Sequence, residues 1–305
     1  MFMAKYDYLL TGASGFLGGV INEYLTSNAA TVITLDRNAT GIKADITQPI
    51  DIDNGLQVDV VIHNAGKAHY VPRTTAEEKV FFDVNLQGTK NLCHAIEQLI
   101  VKPRALIFIS TVAVYGVDAG KNISETHPLN GNTPYAKSKI EAEEWLTAWA
   151  KQNDILLGIL RLPLVAGPNP PGNLGAMIKG IKSGRYLSIG SANARKSVVW
   201  AADIAAIMPV LAQTGGVFNV TDGHNPNFAE LEAVIAQALQ KKKPTRIPMF
   251  IAKLLGYVGD VLGHFPLNSD KLKKITSTLT FDDSKARKLL DWTPSPVLIK
   301  LSETI

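Results

Sequence analysis

The 305-residue chain has a single cysteine, Cys93, so no intrachain disulfide can form, and a reducing, cytoplasmic compartment is expected. Cys93 stands in Asn91-Leu92-Cys93-His94-Ala95-Ile96, a setting for a small buried residue and not for a nucleophile. No apolar run approaches the roughly 20 residues that a membrane-crossing helix needs. The N-terminus has no basic region, long apolar core or small-residue cleavage site, so no signal peptide is expected. Excess charge of one sign is also missing. The 31 Lys and Arg against 27 Asp and Glu leave +4, too mild and dispersed for a nucleic-acid partner. The clearest basic run, Lys241-Lys242-Lys243 before Pro244, reads as a solvated helix end. Internal repeats and low-complexity tracts are absent, which excludes a solenoid. What remains is the composition of an ordinary soluble enzyme, 46% apolar and 19% charged, with no membrane partner and no metal site expected.

Glycine is concentrated where it carries meaning. Tyr8-Leu9-Leu10-Thr11 is a short apolar run that ends in Gly12-Ala13-Ser14-Gly15-Phe16-Leu17-Gly18, and helical periodicity follows through Val20, Ile21 and Leu25. Strand, tight turn and helix N-terminus in this order form the geometry that receives a pyrophosphate. Gly12 allows the turn, Gly15 lets backbone amides approach the phosphates, and Gly18 lets the helix pack close to the sheet. A second strand, Thr31 to Leu35, ends at Asp36, placed to accept hydrogen bonds from an adenosine ribose. That acid favours NAD. Arg37, next in the chain, could instead meet a 2′-phosphate, which keeps NADP as an alternative. Asp45, near a turn, is a candidate for the adenine side. A third strand, Val58 to His63, leads into Asn64-Ala65-Gly66, small residues that let a cofactor lie against the sheet edge. His63 is expected to be structural.

Helical periodicity runs from Ala76 to Leu99, interrupted at Asn85 and Gly88. A strand from Ala105 to Ile109 ends in Ser110-Thr111, and residues 117–134, rich in Gly, Asn, Thr and Pro, predict an exposed, mobile loop. A helix from Tyr135 to about Lys151 and a strand from Ile155 to Leu162 follow. This alternation predicts a right-handed, doubly wound parallel sheet of Rossmann-like α/β class over residues 1–163. Beyond Pro163 prolines and glycines break the pattern. Residues 164–305 then mix helices (174–183, 228–239, 249–262, 284–290) with short strands (197–200, 217–220), which predicts a smaller mixed α/β substrate lobe.

Tyr135-Ala136-Lys137-Ser138-Lys139 places a phenol and an ammonium one helical turn apart. A neighbouring cation and a positively charged nicotinamide would favour the phenolate, so Tyr135 can remove a proton from a hydroxyl whose carbon loses hydride. Thr111 can hold the same oxygen in line.

Taken in order, the glycine loop, Asp36, Asn85-Leu86-Gln87-Gly88-Thr89, Ser110-Thr111-Val112-Ala113-Val114-Tyr115-Gly116, Tyr135 to Lys139, Arg161-Leu162-Pro163 and Leu290-Asp291-Trp292-Thr293-Pro294 resemble the extended short-chain dehydrogenase/reductase family. The likeness is nearest its nucleotide-sugar epimerases and reductases. It implies a catalytic triad of Thr111, Tyr135 and Lys139. It also implies dinucleotide contacts at Gly12, Ser14, Gly15, Phe16, Leu17, Gly18, Asp36, Arg37, Asp45, Ile46, Asn64, Ala65, Gly66, Asn85, Tyr135 and Lys139. Thr111, Asn173, Arg195 and Lys196 would meet the nucleotide-sugar, whose diphosphate the family binds with an Arg where this chain has Lys196 beside Arg195. The resemblance implies a homodimer through helices 76–99 and 135–151. Val112 and Ala113 stand where the family's 4,6-dehydratases carry Asp and Glu, which disfavours elimination. The expected activity is C4 epimerisation of a nucleotide-hexose with NAD. A 4-ketoreductase using NADH or NADPH is the alternative, and a non-catalytic dinucleotide sensor or scaffold ranks third.

Overall fold

A computed structural model describes residues 5–68, 70–262 and 268–305. The first half alternates β1 (Lys5–Thr11), α1 (Phe16–Ser27), β2 (Val32–Asp36), β3 (Ile42–Lys43), β4 (Gln57–His63), α2 (Thr75–Phe82), α3 (Gly88–Glu97), β5 (Ala105–Thr111), β6 (Gly120–Ile123), α4 (Pro134–Gln152) and β7 (Leu156–Leu162). The second half continues with β8 (Leu164–Ala166), α5 (Gly172–Lys182), β9 (Leu187–Ile189), β10 (Val198–Trp200), α6 (Ala201–Thr214), β11 (Gly216–Asn219) and α7 (Phe228–Ala238). It ends with β12 (Thr245–Ile247), α8 (Met249–Leu262), α9 (Ser269–Thr276), β13 (Leu279–Phe281), α10 (Ser284–Leu289) and α11 (Val297–Thr304).

Seven parallel strands form one sheet in the order β11-β7-β5-β4-β1-β2-β3. All seven residues of β5 are buried, as expected of an unbroken apolar run covered on both faces. Ile21 and Leu25 of α1 pack with Ile204, Met208 and Leu211 of α6 on one face. Leu92 and Ile96 of α3 pack with Leu146 and Trp149 of α4 on the other. The smaller lobe has its own core from Leu174, Met177, Trp200, Leu231, Ile235 and Leu301. No described helix is long and apolar enough to cross a membrane.

Three features depart from the sequence expectation. The strand read at 217–220, assigned there to the smaller lobe, is β11. It pairs with β7 as the edge of the main sheet, and α6 packs on that sheet too. Proximity in sequence to the lobe concealed it, because a strand of four residues carries no sign of its partner. The region 117–134 is not a free loop, since β6 pairs with β13, Ile123 and Gly131 are buried, and Gly131 N–H donates to the Val114 carbonyl at 3.0 Å. Finally, the helix read over 76–99 is two helices joined by a π-helical turn, Asp83–Gln87, which buries Asn85.

Candidate active site

The sheet's winding direction reverses between β1 and β4, and such a point opens a crevice beyond the strands' carboxyl ends. Thr11 and His63 stand side by side there. Gly12 has φ +69°, and a Cβ on it would lie 2.8 Å from the Ala65 Cα. A Cβ on Gly18 would come 2.0 Å from the Gly12 carbonyl oxygen, so the close approach of α1 requires glycine. Gly15 differs: a Cβ there meets only the Gly12 oxygen, at 3.4 Å. The protein's own packing therefore leaves space at Gly15 unused. α1 begins beside it with no side-chain cap and no acid in its first turn, so its amides remain available to an anion. This cradle fits a dinucleotide pyrophosphate.

Asp36, half-buried at the end of β2, accepts from Ser14 N–H at 3.1 Å and Asn38 N–H at 2.8 Å, which ties the end of β2 to the glycine loop. Asp45 is exposed and accepts from the Thr47 amide and hydroxyl at 2.9 and 2.8 Å. Those bonds, aided by the nearby Arg37 charge, hold its carboxyl below the usual range. The Ile46 carbonyl accepts from Asn91 Nδ2 at 2.9 Å. Asn64 Nδ2 donates to the Gly12 carbonyl at 3.2 Å, and Ala65 N–H donates to Thr11 Oγ1 at 3.0 Å. A Cβ on Gly66 would lie 3.2 Å from Asn85 Oδ1 and 3.4 Å from Lys139 Nζ, which brings this segment to the helix that carries Tyr135 and Lys139.

His63 is fully buried between Thr11 Oγ1 and Thr89 Oγ1, each 2.9 Å from a ring nitrogen. Thr89 donates its own hydroxyl to the Asn85 carbonyl at 2.6 Å, so it must accept from His63 Nε2, and Thr11 donates to Nδ1. Burial, with the Lys139 charge adding to it, lowers the imidazole to about 3. It is a neutral, fully satisfied strut, as its sequence context implied.

Thr111 ends β5, and Tyr135 and Lys139 occupy the first turns of α4. α4 starts sharply, with Pro134 at its first position and the Thr133 hydroxyl accepting from Ala136 N–H at 3.2 Å. Burial raises the Tyr135 phenol, and the neighbouring Thr111 hydroxyl opposes that rise without cancelling it. Lys139 is 4% exposed, donates to the Ile109 carbonyl at 2.8 Å and lies 4.3 Å over the Phe108 ring. Burial brings its ammonium down to about 7, against the opposing pull of Glu143.

Sequence reading named Asn85 but not the partners that fix it, nor the buried charges beneath the centre. Asn85 Oδ1 accepts from Lys67 N–H at 2.7 Å, and its Nδ2 donates to the Lys67 carbonyl at 3.1 Å and to Ser138 Oγ at 2.9 Å. Ser138 in turn donates to the Tyr135 carbonyl at 2.8 Å. Beneath them Glu143 accepts from Ser110 Oγ and from Arg161, at 2.6 Å for Nη2. Arg161 Nη1 also donates to the Tyr115 hydroxyl and the Glu125 carbonyl, both at 3.2 Å. The available signal was a charge inside each apolar pattern: Glu143 on the buried face of α4, Arg161 between Leu160 and Leu162.

Among the residues expected to meet substrate, Asn173 is exposed in the first turn of α5, a helix with no side-chain cap. The two basic candidates are not equivalent. Arg195 is turned toward the carbonyls of His224 and Asn225, 3.4 and 3.0 Å away, and lies 3.7 Å from Glu230. Half-buried Lys196 makes no side-chain hydrogen bond among the described residues, and burial lowers it to about 8 although Asp118 opposes this. A cavity of about 330 Å³, lined among others by Tyr186, Ile189, Asn193, Phe228 and Met249, lies in the same lobe.

Comparison with known proteins follows the same lines. The chain is 31% identical over 299 residues to the N-acetyl-alpha-D-glucosaminyl-diphospho-ditrans,octacis-undecaprenol 4-epimerase of Escherichia coli O157:H7, taking in 92% of this chain and 88% of that protein. It is 29% identical over 313 residues to the UDP-glucose 4-epimerase of Vibrio cholerae, with 95% and 91% of the two chains covered. The structure of MoeE5 in complex with UDP-glucose and NAD shares the fold, with a TM-score of 0.75 over 98% of this chain and 97% of that one at 20% identity. Residues 8–221 match the model of the NAD dependent epimerase/dehydratase family, and the chain belongs to that family.

Proposed function

We propose that the protein is an NAD-dependent sugar 4-epimerase, with Thr111, Tyr135 and Lys139 at the reacting carbon. The observation that carries this reading is the meeting of that triad with the glycine cradle at one end of the sheet. Bound NAD supplies the hydride acceptor and then the donor. The chain's own part is proton transfer and positioning. Tyr135, as phenolate, takes the proton of the C4 hydroxyl while Thr111 holds that oxygen. Lys139, anchored on the Ile109 carbonyl, favours the phenolate and can reach the cofactor ribose. When the 4-keto sugar is reduced from its other face, Tyr135 returns the proton. Gly12, Ser14, Gly15, Phe16, Leu17 and Gly18 would hold the pyrophosphate, Asp36 the adenosine ribose, and Asn64 to Gly66 with Asn85 the nicotinamide end. Asn173 and Lys196 would meet the sugar's diphosphate, with Arg195 holding the 224–225 loop.

Two substrate forms fit this reading, a nucleoside diphosphate sugar and a lipid-linked sugar diphosphate, the latter supported by what the Escherichia coli relative's name says it acts on. The division of labour is part of the proposal: residues 1–163 with 201–219 bind the dinucleotide, and the rest of 164–305 binds substrate, in a cytoplasmic homodimer. The test begins with the protein as purified. Denaturation should release stoichiometric NAD, and Tyr135→Phe should lower C4 inversion of UDP-hexoses by about 10²- to 10⁴-fold. An empty site with exchangeable NADPH binding and no inversion would instead favour the ketoreductase.

A further inference from the structure

The strongest feature outside the crevice is the outer face of α8. Phe250, Leu254 and Tyr257 recur at i, i+4 and i+7 and are 73%, 63% and 67% exposed, whereas Ala252, Gly256 and Gly259 face inward. Gly256 packs against the start of α9, near Asn268 and Leu272, so the helix's buried side is already occupied. The outer side carries three large apolar groups with no partner among the described residues. Its surroundings are basic. Lys253 lies at i+3 from Phe250 and four residues before Tyr257, on the border of the stripe. Residues 241–274 contain Lys241, Lys242, Lys243, Arg246, Lys253, Lys271, Lys273 and Lys274 against Asp260 and Asp270 only. That segment therefore carries +6 where the whole chain carries +4, which leaves the other 271 residues at −2. The chain's net positive charge therefore lies in the segment that contains α8, with Lys273 4.0 Å from Asp118 and Lys274 paired with Asp270 at 2.9 Å.

We propose that α8 and its basic surround dock on an anionic phospholipid bilayer. A helix lying in the interface plane, with Phe, Leu and Tyr inserted and lysines at headgroup level, matches both halves of the observation. The helix does not span, so the proposal replaces the expectation of no membrane partner without requiring a crossing segment. Met249 at the start of α8 and Ile275 of α9 line the substrate-lobe cavity, so docking brings that cavity to the bilayer surface. Resting on the epimerase reading, the consequence is that a sugar diphosphate carried by a membrane lipid is the substrate form this surface serves.

The test is flotation of the full-length protein with phosphatidylcholine vesicles with and without about one-third phosphatidylglycerol, at low and high salt. The protein should float with the anionic vesicles and release in high salt. Phe250→Ser/Leu254→Ser/Tyr257→Ser should lose at least about tenfold in partitioning, and Lys241→Glu/Lys242→Glu/Lys243→Glu should lose a similar amount. Turnover of a water-soluble UDP-hexose should not change in either variant, which separates failure of docking from failure of the epimerase reading. Equal flotation of the triple-serine variant would overturn the proposal. So would absence of anionic-vesicle binding, or a dimer abolished by the serine substitutions, which would make the stripe an interface between copies.

Discussion

Three glycines of one loop have three different reasons to be glycine, and substitution should separate them. Gly18→Ala drives a Cβ to 2.0 Å from the Gly12 carbonyl, so the helix must move and thermal stability should fall by several degrees. Gly15→Ala meets nothing closer than 3.4 Å, so its melting temperature should stay near the parent's while NAD affinity, read by calorimetry, drops at least tenfold. His63 supplies a pH prediction. Its imidazole titrates near 3 when folded and near 6.5 when unfolded, so between these values the unfolded chain binds the extra proton. The stability it confers is complete above pH 6.5 and is lost progressively toward pH 3, by up to about 1.4 kcal/mol per pH unit. Denaturant titrations at several pH values should show a flatter acid limb for His63→Gln, even though that variant starts less stable. At this scale the sequence was readable where spacing alone fixes a neighbour, as in Tyr135 and Lys139, one turn apart. It was unreadable for Asn85 to Ser138, 53 residues apart, whose meeting depends on two helices packing.

Among the elements, α4 carries the most consequence, since its upper turns hold Tyr135 and Lys139 and its next turn holds Glu143. The Glu143–Arg161 pair is buried at both ends, with side chains 4% and 7% exposed. Removing one partner leaves an uncompensated charge in the core, so Glu143→Ala should cost about 3–5 kcal/mol in chemical denaturation. Glu143→Gln keeps the shape but removes the charge that opposes the fall of the Lys139 pKa. The ammonium should then titrate below its present value of about 7, observable by NMR of labelled lysine. The long elements were legible because their periodicity spans many residues: α4 and β5 lie within two residues of the expected bounds. The π turn was visible only as an irregularity at Asn85 and Gly88. Two-to-four-residue strands such as β3, β6 and β13 have no periodicity to read, and their pairing is decided by distant partners.

Across the whole molecule, Asn219 ties the two halves together. Its N–H donates to Glu125 Oε1 at 2.8 Å, its Oδ1 accepts from the Tyr115 hydroxyl at 2.7 Å, and its Nδ2 donates to the carbonyls of Ile123 and Asp282 at 3.1 and 3.3 Å. Asn219→Ala should cost about 2–3 kcal/mol and increase amide exchange in β6 and β13 before the central sheet. The sheet was expected because five of its strands, β1, β2, β4, β5 and β7, were read from the sequence, with helices after β1, β4 and β5. Its seventh strand was not, because the chain builds part of another lobe before returning.

That late return matters while the chain is being made. Once Leu162 is synthesised, β7 has β5 on one side and nothing on the other until Asn219, 57 residues later, can follow. At ordinary elongation rates this interval lasts roughly 3–11 s. For those seconds a nascent chain presents an apolar, unpaired strand edge to every other chain nearby.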